Sequence, residues 1–465
     1  MIVPRSRLLF WVATVVLPFA FLAAVAPGAT VVSVLFISGL FLVAAADAAW
    51  ARKNLAGIGV ELQAVARMSK GREAKLELRI RNSRQRRRPL RLGLAWPPEI
   101  KAASDELDAI LPAQSEWSRL AWPCMPLKRG NYKFDRIFAE GASPLGFWSA
   151  RKSFPVQSEV RIYPNLLDER KNLAALFLNR GQFGLHAQRQ VGKGRDFEKL
   201  REYIPGDGYD EIHWKATARR GRPITKVFQI EKTQEVYVVI DASRLAARKV
   251  RDSGLKVQAS TSPDGKAQPG VFSLEPGTTV LERFVTAALV LGLAAEQQGD
   301  LFGLVTATNK VEKFVRAKNG QAHYNTCRDA LYTLQPEIVT PDFDELFTFV
   351  RLRLRRRALL IFLTDLEDPA VAESFVRNLE LIRRQHLVLV NMIQPSGLKP
   401  IFSNPNVTGI DDLYNELGGH LRWQKLRELK KILQRIGVQF SLLNNERLSA
   451  ELVSQYLNVK QRQLL

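Results

Sequence analysis

The chain has 465 residues, of which 46% are hydrophobic and 25% are charged. This length allows roughly two to four domains, and the composition excludes a disulfide-stapled miniprotein, a wholly disordered chain and a protein that lies in the membrane along its whole length. The 68 basic and 46 acidic residues give a net charge of +22, which favours anionic partners such as lipid headgroups, nucleic acid or an acidic protein surface.

Two apolar segments near the N-terminus predict a helical hairpin that crosses a membrane. Residues 8–26 carry no charge, and residues 31–50 carry only Asp47, near the end of the segment. Each is close to the ~20 residues that a helix needs to cross a bilayer, and residues 27–30 predict a tight turn between them. A cleaved signal peptide would explain the first segment but not the second. We expect Asp47 to be a solvated or snorkelling carboxylate rather than a functional intramembrane acid.

Basic residues that flank the two spans predict their orientation. Arg5 and Arg7 precede the first span, Arg52 and Lys53 follow the second, and the connecting turn carries no charge. Because positive charge accumulates on the cytoplasmic side, we expect residues 1–56 to anchor the protein in the cytoplasmic membrane, with the soluble domains inside the cell.

Short alternating runs of apolar and polar residues predict a small all-β, sandwich-like domain over residues 57–164. A basic hairpin turn is expected between two of these runs, at Arg84, Arg86, Arg87 and Arg88. Two interpretations stay open: a solvated loop, or a loop that faces anionic headgroups just below the membrane. Residues 165–233 form a linker region, in which residues 166–179 and residues 197–203 predict helices.

Strands and helices alternate from residue 234 to residue 465, which predicts an α/β domain with a mainly parallel sheet and helices on both faces. Two predicted strands, residues 236–240 and 358–363, end in Asp241 and in Thr364 and Asp365. Ligands of such sheets bind beyond the carboxyl ends of the strands. Residues 251–279, rich in Ser, Gly, Pro and Gln, predict an insertion over that edge.

Familiar catalytic motifs are missing from the sequence. It contains no GxxxxGK[ST], HExxH or GxSxG, so the motifs of a P-loop ATPase, a zinc protease and an α/β-hydrolase are absent. Cys124 and Cys327 have no CxxC spacing and indicate neither a zinc site nor a disulfide framework. A dense charged run, residues 195–231, contains Asp207 and His213, which could serve as a general base or metal ligands. The alternative for this run is a buried polar network that holds a strand-like segment against the α/β domain.

A second basic cluster lies in residues 351–357. The apolar spacing predicts a helix over residues 343–357, in which Arg353 and Arg357 share one solvated face. No aromatic interleaving or known nucleic-acid module accompanies these arginines, so attraction to anionic lipid is a better explanation than nucleic-acid binding.

The charged run resembles the signature of the bacterial domain-of-unknown-function family fifty-eight. The matching positions include Arg195, Asp196, Arg201, Tyr203, Pro205, Gly206, Asp207, Trp214, Lys215, Thr217, Arg219, Lys226 and Glu231. Residues 129–132, 143–148 and 160–165 are similar to the segment that precedes this signature. The resemblance implies a von Willebrand factor A-like domain, a MoxR-type AAA+ ATPase as partner, often with a transglutaminase-like membrane protein, in the bacterial inner membrane. It implies no established enzymatic activity.

The same resemblance bears on metal binding. Von Willebrand A domains of the metal-binding kind carry Asp-x-Ser-x-Ser after the first strand, where oxygen ligands hold a cation such as Mg²⁺. Here the last serine of the motif, the third oxygen ligand, is replaced by Leu245, which offers no oxygen. A degenerate metal-ion-dependent adhesion site formed by Asp241, Ser243 and Asp365 is one interpretation. In the other, Asp241 caps the following helix and Ser243 satisfies backbone donors.

The sequence therefore predicts a membrane-anchored scaffold that docks partner proteins and is not an enzyme. The competing prediction is a metal-assisted hydrolase that uses Asp207, His213, Asp241 and Asp365.

Overall fold

The computed structural model describes residues 1–167, 169, 191–205, 208–229, 234–250, 278–395, 397–401 and 410–462. They divide into two compact units, Met1–Asn165 and the residues from Leu166 onward. Several predictions fall outside the described residues. They are most of the helix predicted at residues 166–179, the insertion apart from Thr278–Thr279, the side chains of Arg195 and Asp196, and the signature residues Gly206, Asp207 and Glu231.

The N-terminal hairpin consists of helix α1, Ser6–Val25, and helix α2, Thr30–Asn54. Both helices are long and apolar enough to cross a membrane. A short 3₁₀ turn, Pro27–Ala29, joins them. Phe19 and Phe36 stack across the hairpin with ring centroids 4.8 Å apart.

Asp47 corrects one expectation, because its side chain is neither solvated nor snorkelling. It is fully buried in α2, where its carboxylate accepts hydrogen bonds from the loop of residues 143–147: from Ser143 Oγ at 2.6 Å, and from the backbone N–H of Leu145 and of Phe147, each at 3.2 Å. Trp148 Nε1 donates to the Ala44 carbonyl at 2.9 Å. The loop therefore supplies the donors that water was expected to supply.

The β part of the first unit contains two sheets. The strands of one sheet run in the order β1-β10-β9-β5-β7, with β3 beside β10, and those of the other in the order β2-β4-β8-β6. The ten strands are β1 Ile2–Pro4, β2 Ile58–Leu62, β3 Val65–Ser69, β4 Ala74–Asn82, β5 Arg88–Leu94, β6 Ile100–Ala102, β7 Glu106–Leu111, β8 Trp117–Pro126, β9 Gly130–Ala142 and β10 Trp148–Tyr163.

Both sheets contribute side chains to one core. Strand β4 shows why: Leu76, Leu78 and Ile80 alternate with charged residues and are fully buried, as a half-buried strand requires. The predicted basic hairpin turn is wrong in one respect, because β4 and β5 belong to different sheets. The arginine-rich segment between them is a crossover between sheets.

The second unit begins with a two-stranded ribbon. Strand β11, Val191–Glu202, pairs antiparallel with strand β12, Ile224–Gln229, and helix α3, Trp214–Arg220, lies between them in sequence. The helix predicted at residues 197–203 is therefore wrong, because residues 197–202 belong to a strand and Tyr203 lies outside any helix. Its apolar residues, Phe197, Leu200 and Tyr203, recur every three positions, which favours a helix, and antiparallel pairing with β12 overrides this local pattern.

A six-stranded sheet forms the centre of the second unit. Its order is β17-β16-β13-β18-β19-β20, and all neighbours are parallel except the edge strand β17. The strands are β13 Glu235–Asp241, β16 Leu301–Ala307, β17 Val311–Lys318, β18 Leu359–Leu363, β19 Leu387–Ile393 and β20 Gln439–Leu443. A small hairpin, β14 Lys249–Val250 and β15 Thr278–Thr279, flanks the residues of the predicted insertion.

Helices cover both faces of this sheet, as alternate residues of β13 show. Val236, Val238 and Ile240 pack in one apolar cluster, and Tyr237 and Val239 pack in the other. The helices are α4 Val280–Gln297, α5 Gln321–Leu331, α6 Phe343–Arg353, α7 Pro369–Leu379, α8 Ile410–Arg435 and α9 Leu448–Gln461.

Helix α6 is shorter than predicted. It ends at Arg353, so Arg357 does not share a helical face with Arg353. Leu354 is buried and leaves helical geometry, which takes the chain out of the helix and into β18.

Candidate functional site

The candidate site lies where the order of the parallel strands reverses, between β13 and β18. Asp241 is the last residue of β13, and Thr364 and Asp365 follow directly after β18. The two strands are paired in parallel register from Val236 to Ile240, so their carboxyl ends meet at one edge of the sheet. This is the position at which open α/β sheets bind ligands.

The carboxylate of Asp241 is buried and bound by protein donors on both oxygens. Thr364 Oγ1 donates to one oxygen at 2.7 Å, and the backbone N–H of Ser243 donates to the other at 2.9 Å. Burial raises the pKa of Asp241, against the effect of these hydrogen bonds. Ser243, rather than Asp241, caps the short 3₁₀ turn Arg244–Ala247, since its Oγ accepts from the Leu245 N–H at 3.4 Å.

Asp365 is paired with an arginine. Arg248 Nη2 lies 3.0 Å from Asp365 Oδ2, and the backbone N–H of Glu367 donates to Oδ1 at 3.0 Å. Burial raises the pKa of Asp365 to about 6, although the Arg248 guanidinium opposes that rise. Removing either member of such a buried ion pair leaves the other charge without a partner, which destabilises the folded state.

One further arginine extends this pair into a network, and another pairs with the adjacent Asp368. Arg248 Nη1 also contacts Glu367 Oε2 at 2.9 Å, and Arg422 Nη1 on α8 contacts Glu367 Oε1 at 3.2 Å. Arg244 Nη2 lies 3.9 Å from Asp368 Oδ2. The three arginine side chains are between 37% and 48% exposed, so each has a face toward solvent. We call Arg244, Arg248 and Arg422 the arginine edge.

The residues at this edge do not fit the Mg²⁺ site that the resemblance implies. Both oxygens of Asp241 are engaged by Thr364 and Ser243, and Leu245 stands where the third oxygen ligand would be. A guanidinium contacts Asp365 at the distance of an ion pair. Within the described ranges, no group of three or more His, Cys, Asp or Glu side chains is placed to hold a metal ion.

The signature residues are described in part, and several aromatic and basic side chains in helix α3 and in the turn before it are exposed. Trp214 is 68% exposed and Tyr209 is 77% exposed, while Lys215 and Arg219 also face solvent. The expected buried polar network is therefore wrong for Lys215 and Arg219, because a seven-residue helix on a two-stranded ribbon can bury little surface.

Other polar residues of the signature have structural roles. The Nδ1 atom of His213 accepts from the Ala216 N–H at 3.1 Å and so caps α3. The Ile224 N–H donates to Thr217 Oγ1 at 3.0 Å, which connects the helix to β12. Asp207, the other member of the predicted catalytic pair, lies outside the described residues.

Sequence reasoning missed two members of the arginine edge, Arg248 and Arg422. Asp241, Thr364 and Asp365 were found because each follows an apolar strand. The acidic string that follows, including Glu367 and Asp368, was a signal that a basic partner is needed. Arg248 lies seven positions after Asp241, and Arg422 comes from a distant helix, so no local pattern identifies either as that partner.

Comparison with known proteins gives one family match. The model of the family described as "Protein of unknown function DUF58" matches residues 199–253 and 276–399, which supports the resemblance to this family. Uncharacterized protein Rv1480 from Mycobacterium tuberculosis and uncharacterized protein Mb1516 from Mycobacterium bovis are each 23% identical over 214 residues, which is 45% of this chain. The matched region spans 58% of the length of these curated relatives.

Two solved structures to which the chain is similar align weakly. Proximal thread matrix protein 1 from the mussel byssus aligns with a TM-score of 0.24 and 11% identity, covering 48% of this chain and 44% of that chain. An uncharacterized membrane spanning protein from Vibrio fischeri aligns with a TM-score of 0.17 and 16% identity, covering 49% of this chain and 99% of that chain. These scores are too low to indicate a shared fold.

Proposed function

We propose that this protein is a membrane-anchored scaffold that docks a partner protein at the arginine edge of a von Willebrand A-like domain. The sheet order supports the domain type, since five parallel strands and one antiparallel edge strand reverse their order at β13 and β18. The resemblance to the family supports the same domain, and it brings no established catalytic activity.

The proposed anchor is the helical hairpin, with the soluble units on the cytoplasmic side of a bacterial inner membrane. Its support is the length and apolar character of α1 and α2 and the basic residues at their outer ends, Arg5, Arg7, Arg52 and Lys53. The turn between the helices carries no charge, as the positive-inside rule expects of the opposite side.

The arginine edge is the observation on which the docking proposal rests. In a metal-binding von Willebrand A domain, the cation accepts an acidic side chain of the partner. Here guanidinium groups stand at that edge, and each carries five N–H donors in a planar fork. Their ion pairs with Asp365, Glu367 and Asp368 use only some of these donors. The others suit a carboxylate of the partner, with no metal ion required.

The proposed partner is a MoxR-type AAA+ ATPase, and a transglutaminase-like membrane protein is a second candidate. Both come from the family resemblance, and the chemistry of the edge adds that the contacting segment is acidic. Exposed Trp214, Tyr209 and Arg219 are of the residue types that dominate protein interfaces, which supports an interaction module.

The competing proposal is a metal-assisted hydrolase. It needs a free acid or base, but His213 Nδ1 is used as a helix cap and Asp365 is paired with Arg248. These contacts favour the scaffold, and turnover of a small substrate by the purified chain would favour the hydrolase.

Removing charge from the arginine edge tests the scaffold proposal. The detergent-solubilised full chain is immobilised, and its affinity for the purified MoxR-type ATPase is measured with and without nucleotide. We expect Arg244→Ser/Arg422→Ser to weaken binding by at least about tenfold, since an interface arginine that acts as a hot spot is worth roughly 1–2 kcal/mol or more. Arg248 is left in place so that Asp365 keeps its partner.

The matched control is Arg355→Ser/Arg356→Ser. Both arginines are exposed, and they precede β18, at the opposite end of the sheet, so this variant loses the same charge. Equal weakening by both double variants would show a general charge effect. No binding of the unmodified chain under either nucleotide condition would refute the choice of partner.

A further inference from the structure

The crossover between β4 and β5 lies against the end of helix α2. Arg84 Nη1 donates to the Lys53 carbonyl at 3.4 Å, and the Ser83 N–H donates to the Gly57 carbonyl at 3.0 Å. Arg88 donates to the Asn54 carbonyl. These bonds join two segments that are about 30 residues apart in sequence, and they fix the crossover to the last turn of the second apolar helix.

This junction concentrates positive charge. Five basic side chains from the helix end and the crossover are exposed, and we call them the basic collar: Arg52, Lys53, Arg84, Arg86 and Arg87. Among the described residues, no ion pair joins any of them to a carboxylate. Burial lowers the pKa of neighbouring Arg88, and the charges of Arg84 and Arg86 lower it further.

The backbone of the crossover is also held in one shape. Gln85 has φ of 47°, the one positive φ of a non-glycine residue in the described part of the chain, and its N–H donates to the Asn82 carbonyl at 3.0 Å. Asn82 is buried, and its side chain donates to the Arg86 carbonyl at 2.9 Å. A preformed turn loses less conformational entropy when its side chains bind a ligand.

We propose that the basic collar binds the phosphate groups of anionic phospholipids at the surface of the membrane that α2 crosses. The inference rests on the proposed membrane insertion of the hairpin but not on partner docking. Clusters of four to eight basic residues next to a membrane span are the pattern that recognises anionic headgroups. Of the two interpretations of the arginine-rich segment that the sequence leaves open, the contacts with Lys53 and Asn54 favour the one that faces headgroups.

The test measures lipid binding to the full chain in neutral detergent micelles. Short-chain phosphatidylglycerol is titrated against short-chain phosphatidylcholine, and the dissociation constants are compared for the unmodified chain and for Arg86→Ser/Arg87→Ser. Arg84 is kept because it contacts the Lys53 carbonyl. We expect phosphatidylglycerol to bind more tightly than phosphatidylcholine and the variant to lose about tenfold or more of that affinity, since each basic residue near the surface is worth roughly one factor of five. Added salt should reduce the preference.

The matched control is Lys75→Ser/Arg79→Ser, which removes two exposed cations from β4. The proposal is overturned if both double variants lose affinity equally, if the unmodified chain shows no preference for phosphatidylglycerol, or if single-stranded RNA competes the lipid away at lower concentration. If the unmodified chain shows no preference for phosphatidylglycerol while it still docks its partner, this inference alone is contradicted. Release of the chain from membranes by carbonate washing contradicts both proposals.

Discussion

Replacing Asp47 with alanine should release the loop of residues 143–147 from helix α2 and destabilise the first unit by about 3–4 kcal/mol, because three donors lose their acceptor and each unsatisfied buried group costs roughly 1–3 kcal/mol. The donors are Ser143 Oγ and the N–H groups of Leu145 and Phe147. A loss of this size lowers the melting temperature by roughly 6–16 °C for a unit of this length. Thermal unfolding of the full chain in detergent, with hydrogen exchange of residues 143–148, measures it.

Two milder variants separate the lost contacts from a general defect in the helix. Asp47→Asn keeps one carbonyl acceptor, but its amide NH₂ group faces donors of the loop. We therefore expect a loss of stability between that of Asp47→Ala and that of the unmodified chain. Ser143→Ala removes one donor and should cost about 1–2 kcal/mol. If Asp47→Ala leaves hydrogen exchange of the loop unchanged, the buried carboxylate does not hold the loop to the helix.

Replacing Arg248 with methionine should destabilise the second unit by about 2–3 kcal/mol at pH 7.5, since the change leaves a buried carboxylate without its cation. Asp365 has only 6% of its side chain exposed, while Arg248 has 37% exposed, so the estimate lies at the low end for a buried pair. Urea unfolding followed by fluorescence gives the free energy.

The stability loss caused by Arg248→Met should depend on pH, and the direction of this dependence follows from the raised pKa of Asp365. Its folded value of about 6 lies above the unfolded value of about 3.9, so the folded state binds more protons between these values. The resulting stability is fully present below about pH 4 and is lost as pH rises through about 6. Without Arg248 the folded pKa rises further, so Arg248→Met should cost less at pH 5 than at pH 7.5.

The double variant Arg248→Met/Asp365→Asn is the control for this pair. Replacing both partners removes the unpaired charge that Arg248→Met leaves at position 365, so most of the stability should return. The introduced asparagine would keep a carbonyl acceptor for the Glu367 N–H. If the stability loss of the double variant equals the sum of the two single losses, Arg248 and Asp365 are not energetically coupled. The same conclusion follows if the stability loss of Arg248→Met does not change with pH.

The sequence predicted those elements whose signal is local. The two apolar spans appear as α1 and α2, and the strict alternation around Leu76, Leu78 and Ile80 appears as a half-buried strand. Asp241 and Asp365 were expected at strand ends, and they lie at adjacent ends because continuous apolar strands build a parallel sheet.

The remaining features depend on partners that are distant in sequence. Asp47 looks solvent-facing until the loop of residues 143–147, almost 100 positions away, supplies its donors. Residues 197–203 have apolar residues at a helical spacing, and antiparallel pairing with β12 makes them a strand instead. Arg248 and Arg422 both contact Glu367, from which each is more than 50 positions away in sequence. The residues next to them in sequence do not predict these contacts.

Photocrosslinking in the native membrane tests the central claim, that the arginine edge is a docking surface, most directly. A photoreactive amino acid replaces Arg244 in the full chain, and Arg355, at the other end of the sheet, is replaced in a matched variant. The account predicts that position 244 crosslinks to the MoxR-type ATPase and that position 355 does not. Crosslinks to that ATPase from position 355 alone, or from neither position while the two proteins are present together, would contradict it.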